Sequence, residues 1–71
     1  MPTIPELLAE WRSKQAAWFD ALDSVAHAQE NGAPRREMER LRVREEETRQ
    51  ARNRAYWNYS RAERGFAPLV A

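Results

Sequence analysis

The sequence predicts an all-α fold of two long antiparallel helices, a helical hairpin. Three observations predict it. Asn31-Gly32-Ala33-Pro34 punctuates the chain near its middle. Apolar residues on both sides recur at steps of three and four, the helical period. No Gly or Pro interrupts the stretch that follows the turn. Asn-Gly also opens β-hairpins, but those need alternating flanks, which are absent. Residues 1–71 are read as one domain, with helices over about 4–30 and 34–64, a turn at 31–34 and an apolar tail at 65–71.

The first helix starts at Thr3-Ile4-Pro5-Glu6. Thr3 suits the N-cap, and Glu6 three residues on suits a capping box. Pro5 is tolerated in the first turn, where its missing N–H costs nothing. The apolar stripe is Ile4, Leu8, Trp11, Trp18, Leu22 and Val25, continued by Gln15 and Gln29 at the same steps. Leu7, Phe19, Ala21, Ala26 and Ala28 widen it on both flanks, more than one partner helix covers. Glu10 and Lys14 form an i,i+4 pair. At the turn, Gly32 takes the left-handed conformation that closes a helix, and Pro34 fits the first turn of the next.

The second helix has its best seam at Met38, Leu41, Glu45, Thr48, Arg52, Ala55, Tyr59 and Ala62. Its ends are apolar and its middle is polar. The i,i+4 pairs Arg35–Glu39, Arg42–Glu46 and Glu45–Arg49 support the polar stretch, each by about 0.2–0.5 kcal/mol. Gly65 ends the helix and Pro68 prevents its return. The tail Phe66-Ala67-Pro68-Leu69-Val70-Ala71 folds back over the helix ends, docks on another chain, or frays.

Folding at the turn brings Trp11 to Ala55, Leu8 to Tyr59, Val25 to Leu41, Trp18 to Thr48 and Gln15 to Arg52. The centre of such a hairpin is thin and wet. A chain of 71 residues is short for a self-sufficient core. It has no Cys and one His, which excludes disulfides, thiolate metal sites and a His cluster. Association is the remaining staple. Two hairpins are therefore expected to form a homodimeric four-helix assembly whose core includes Leu8, Trp11, Trp18, Phe19, Leu22, Val25, Leu41 and Tyr59. Charge favours packing of unlike helices. Residues 1–33 carry two basic and five acidic side chains, net −3, and residues 34–71 carry ten Arg and six Glu, net +4. No signal peptide or membrane span is visible, so a cytoplasmic protein without membrane contact is expected.

Chemistry-bearing patterns are few. His27 lies two residues past Val25 and points away from the seam. Glu45-Glu46-Glu47 fans around the helix axis and cannot converge on one metal. There is no Gly-rich phosphate loop and no nucleophile–base arrangement. The expectation is a protein that is not an enzyme, with no catalytic residue, metal or cofactor.

The outer face of the second helix is more informative. Steps of four and three give Arg36, Arg40, Val43, Glu47, Gln50, Arg54, Trp57, Arg61 and Arg64. This basic stripe holds a Trp opposite the seam, and Trp and Arg are the types enriched at binding hot spots. Two readings stand. Either Trp57 and Val43 are covered by a dimer partner or by Phe66, or the stripe recognises an acidic or mixed surface on another protein. Nucleic acid is the lesser expectation, because six Glu dilute the charge of the same helix. Tyr56 flanks the seam and fits either arrangement.

The two helices around Asn-Gly-Ala-Pro-Arg, with an Arg/Glu-rich second helix, resemble the small accessory proteins of temperate phages. The chain is similar in size and hairpin plan to phage-encoded quorum-sensing anti-activators. That resemblance implies a dimeric inhibitor of a host regulator, such as a transcription activator. The alternatives are a nucleic-acid-associated protein and a structural subunit of a larger assembly.

Overall fold

The computed structural model describes residues 2–65. They form two helices, α1 (Ile4–Glu30) and α2 (Arg35–Glu63), and no strand. The tail expected beyond Gly65 lies outside the described residues. The molecule measures 47 × 17 × 15 Å. A helix of 29 residues is about 44 Å long, so the long axis is the length of α2 and the cross-section is two helices side by side. The radius of gyration is 15.0 Å, against roughly 11 Å for a compact globule of this length. Among the described residues there is no second layer to bury the outer faces.

Each terminus follows from local chemistry. Thr3 caps α1 in extended conformation, its Oγ1 accepting the Glu6 N–H at 3.3 Å. The same hydroxyl donates to Glu6 Oε1 at 3.1 Å, so the box closes side chain to side chain. At the other end Gly32 has φ +66°. Its N–H donates to the Gln29 carbonyl at 3.2 Å and the Ala33 N–H to the Ala28 carbonyl at 2.9 Å, a Schellman closure. Pro34 stands one residue outside the position expected: it is the N-cap of α2, and Arg35 opens the helix. Pro34 brings no side-chain acceptor to that end. Arg64 caps the C-terminus and Gly65, at φ +84°, leaves the helix.

Gly32 carries a prediction. Open space surrounds the point where a Cβ would sit, so only the backbone conformation opposes a side chain. Gly32→Ala is expected to cost about 1–2 kcal/mol, the left-handed penalty, read as a lower urea midpoint with unchanged slope.

The seam differs from the one expected on α1. The buried residues are Leu7, Ala21 and Ala28 of α1 and Ala55 of α2. With Trp11, Trp18 and Val25 half-buried between them, they make a regular seam of threes and fours. Leu22, at 38% exposure, and the exposed Gln29 lie beside it rather than in it, as does Ile4 at 43%. The reason is Lys14. It occupies the step between Leu7 and Ala21, and a charge there hides the repeat from a count of apolar residues. Its stem is half-buried while its ammonium reaches Glu10 at 3.6 Å on the surface. The buried alanines, Ala21 and Ala28 of α1 and Ala55 of α2, put small side chains at the contact. On α2 the expected seam holds: Met38, Leu41, Glu45, Thr48, Arg52, Tyr59 and Ala62 are half-buried around Ala55.

The polar centre is joined by hydrogen bonds. Trp18 Nε1 donates to Glu45 Oε2 at 2.8 Å, where a pairing with Thr48 was expected. Arg52 Nε and Nη2 both donate to Gln15 Oε1, at 3.3 and 3.2 Å, fixing the register anticipated from the turn. Arg44 bridges to Asp20 at 2.8 Å, joining basic α2 to acidic α1. Of the local pairs, Arg35–Glu39 and Glu45–Arg49 form, whereas Glu46 accepts from Gln50 rather than pairing with Arg42. Thr48 turns its hydroxyl back onto the Arg44 and Glu45 carbonyls, leaving its methyl for the seam.

No large side chain among the described residues is fully buried. Stability therefore rests on half-covered rings. Trp11 stacks on Tyr59 (5.6 Å, 18°) and meets Tyr56 edge-on (5.2 Å, 63°). Trp11 thus sits among rings rather than on Ala55 alone. Its indole N–H and the Asn58 side-chain oxygen are buried without a hydrogen-bond partner among the described residues.

Candidate protein-binding surface

The surface is built outward from the Trp11 end of the seam. Arg52 lies within 5.6–5.9 Å of the Trp11, Trp18 and Tyr56 rings while its nitrogens hold Gln15 and Asn53. A guanidinium suits this place because its flat faces accept rings and its edge donates hydrogen bonds. Arg52→Lys keeps the charge and loses the fork and the stacking. It is expected to lower stability by about 1 kcal/mol in a denaturant titration.

Tyr56 then leads outward. It packs edge-on against Trp11 on one side and against Trp57 on the other (5.7 Å, 67°). It therefore links the seam to the outer stripe. Through it, the exposed Trp57 rests on the seam. The signal for this link was Tyr56 lying level with Trp11 across the hairpin, which becomes decisive only once the register is fixed.

Trp57 is 50% exposed and Val43 is 55% exposed. They lie on the side of α2 away from α1. Arg36, Arg40, Arg54 and Arg64 are exposed on the same stripe, and none of them makes an ion pair among the described residues. Arg61 is half-buried and already engaged. The stripe thus offers an indole backed by Tyr56, an isopropyl group and several uncommitted guanidinium groups. Such a set can bury apolar contact and pair with carboxylates or phosphates. Of the expected core residues, Leu8, Trp11, Trp18, Val25, Leu41 and Tyr59 are half-buried between the helices. Phe19 and Leu22 are left uncovered in the single chain.

Elsewhere the expected features separate. Glu45 turns into the seam, to Trp18 and Arg49, while Glu46 and Glu47 are exposed. His27 borders a shallow groove of about 500 Å³ beside the turn, with Ser24, Asn31, Glu37 and Leu41. No group of three His, Cys, Asp or Glu side chains among the described residues is placed to hold a metal ion. The Tyr59 hydroxyl donates to Glu63 at 2.6 Å. That bond holds the phenol above its ordinary pKa, aided by desolvation and the carboxylate charge and opposed by Arg12. The hydrogen bond is thus present at neutral pH and is lost as alkaline pH ionises the phenol.

No helix among the described residues is long and apolar enough to cross a membrane. No family model, curated protein or solved structure matches the chain.

Proposed function

We propose that this chain is a small non-enzymatic protein-binding module, working as a homodimer of hairpins in a four-helix assembly. It acts by covering an acidic or mixed surface of another protein with the outer stripe of α2. In the setting suggested by its resemblance to phage accessory proteins, the target is a host regulator such as a transcription activator, and binding inhibits it. The observation that carries the reading is the half-exposed Trp57 on one helix stripe with Arg36, Arg40, Arg54 and Arg64, Arg54 one turn from the indole and Arg36 and Arg40 towards the other end, with no ion-pair partner for those four among the described residues. An exposed indole backed by Tyr56, with the unpaired Arg54 one turn before it on the same stripe, has the composition of a binding hot spot.

A photo-reactive residue at position 54 tests it. Its expected product in cells of the native host is one dominant crosslinked protein, absent when Trp57→Ala is introduced. Crosslinks spread over many proteins, or unchanged by Trp57→Ala, refute the reading. The same arginines support a second reading, a phosphate-binding helix. That reading predicts duplex DNA binding that weakens steeply with salt and depends on Arg36, Arg40 and Arg54 rather than on Trp57.

A further inference from the structure

We infer that the homodimer forms through the outer face of α1, by an antiparallel two-fold contact between the two copies of that helix. This rests on the dimeric reading above and names the face, the register and the charges that set it. The face is a second stripe of threes and fours on α1: the exposed Arg12, Phe19, Leu22, Ala26 and Gln29, with Leu8 and Gln15 at its border with the seam, where Gln15 already accepts from Arg52. It lies about a quarter turn round the helix from the seam, as needed where one helix touches two others. Phe19 is 49% and Leu22 38% exposed, and Phe19 is held in place by stacking on Trp18 at 5.5 Å. A preordered ring gives contact area at little entropic cost.

The order of residues selects the occupant. From Arg12 to Gln29 the steps run three, four, three, four, three, and they read the same in reverse. A second copy lying antiparallel therefore meets the stripe level for level. Phe19 faces the partner's Leu22, Gln15 faces the partner's Ala26, and Arg12 faces the partner's Gln29. Shifting the pairing by one heptad sets Arg12 or Gln15 against the large apolar residues, or Phe19 against the partner's Gln29. In the favoured register Arg12 also reaches the partner's Glu30, twice by symmetry. Neither Arg12 nor Glu30 has an ion-pair partner among the described residues. The contact is isologous, so it closes at two copies. It leaves both α2 stripes, with Trp57, on the outer edges.

The stripe from Leu8 to Gln29 is about 32 Å long and one helix wide, a small interface, so dissociation in the micromolar range is expected. Sedimentation equilibrium on the full chain reads it. Phe19→Glu, which buries a charge at the two-fold, is expected to weaken the dimer by about 100-fold while helicity by circular dichroism is retained. Arg12→Glu is expected to weaken it by about tenfold, and Arg12→Glu combined with Glu30→Arg to restore it. A wild-type chain that stays monomeric at about 1 mM overturns the inference. So does a dimer indifferent to Phe19→Glu, one broken by Trp57→Ala instead, or a double variant that stays weak. A monomer still crosslinking its target through the α2 stripe refutes this face alone. A dimer with no Trp57-dependent target refutes the proposed function alone.

Discussion

Trp11→Ala is expected to remove about 3 kcal/mol of stability, the lower end for an aromatic truncation because Trp11 is only half-buried. A chain of 71 residues has roughly 4–10 kcal/mol in total. The loss is therefore a large fraction, and the melting temperature is expected to fall by about 12–24 °C. The physical cause is the number of partners lost at once. Trp11 stacks on Tyr59, braces Tyr56 and forms one wall around Arg52. Removing it leaves the Arg52 guanidinium with one ring fewer and opens the end of the seam to water. Trp11→Phe is expected to be milder, since it keeps a ring and also removes the buried N–H that has no partner among the described residues. Thermal melts of the two variants side by side check this. Equal losses would show that the rings around Trp11 contribute little.

The second large effect falls on binding. Trp57→Ala is expected to leave helicity and self-association unchanged while target binding weakens by about 2 kcal/mol or more, roughly 30-fold. The side chain is half-exposed and rests only on the outer side of Tyr56, so its removal opens no cavity between the helices. Calorimetric titration against the crosslinked target measures the loss. If Trp57→Ala unfolds the hairpin instead, the indole belongs to the fold and the proposed surface is wrong. Arg36→Ala and Arg54→Ala are expected to have smaller effects that shrink with added salt, because exposed charge pairs are screened.

These two tryptophans show where sequence reading is strong and where it fails. Trp57 was placed on the outer stripe by period alone, because α2 is uninterrupted and a helix fixes which residues share a face. Trp11 was placed in the seam by the same logic, but its ring partners were not. A register taken from the turn is good to a residue or two, and a large ring reaches further than that. The α1 seam keeps Trp11, Trp18 and Val25 but moves by one residue at the alternate steps, to Leu7, Lys14, Ala21 and Ala28, because Lys14 is charged by composition yet half-buried by geometry. Trp18 is a similar case: its indole N–H needed an acceptor, and only the packed hairpin shows that Glu45 supplies it.

The residues alone fixed the two helices, the left-handed closure at Gly32, the Thr3 cap and the face on which Trp57 stands. All of these are local consequences of backbone conformation and periodicity, settled within a few residues. The tertiary structure alone decided which flank of α1 meets α2, that Arg52 sits among three rings, and that Phe19 and Leu22 are uncovered. Those facts depend on how two helices rotate about their own axes when they pack. Small alanines, a snorkelling lysine and paired polar groups set that rotation together, and none of them reveals it singly.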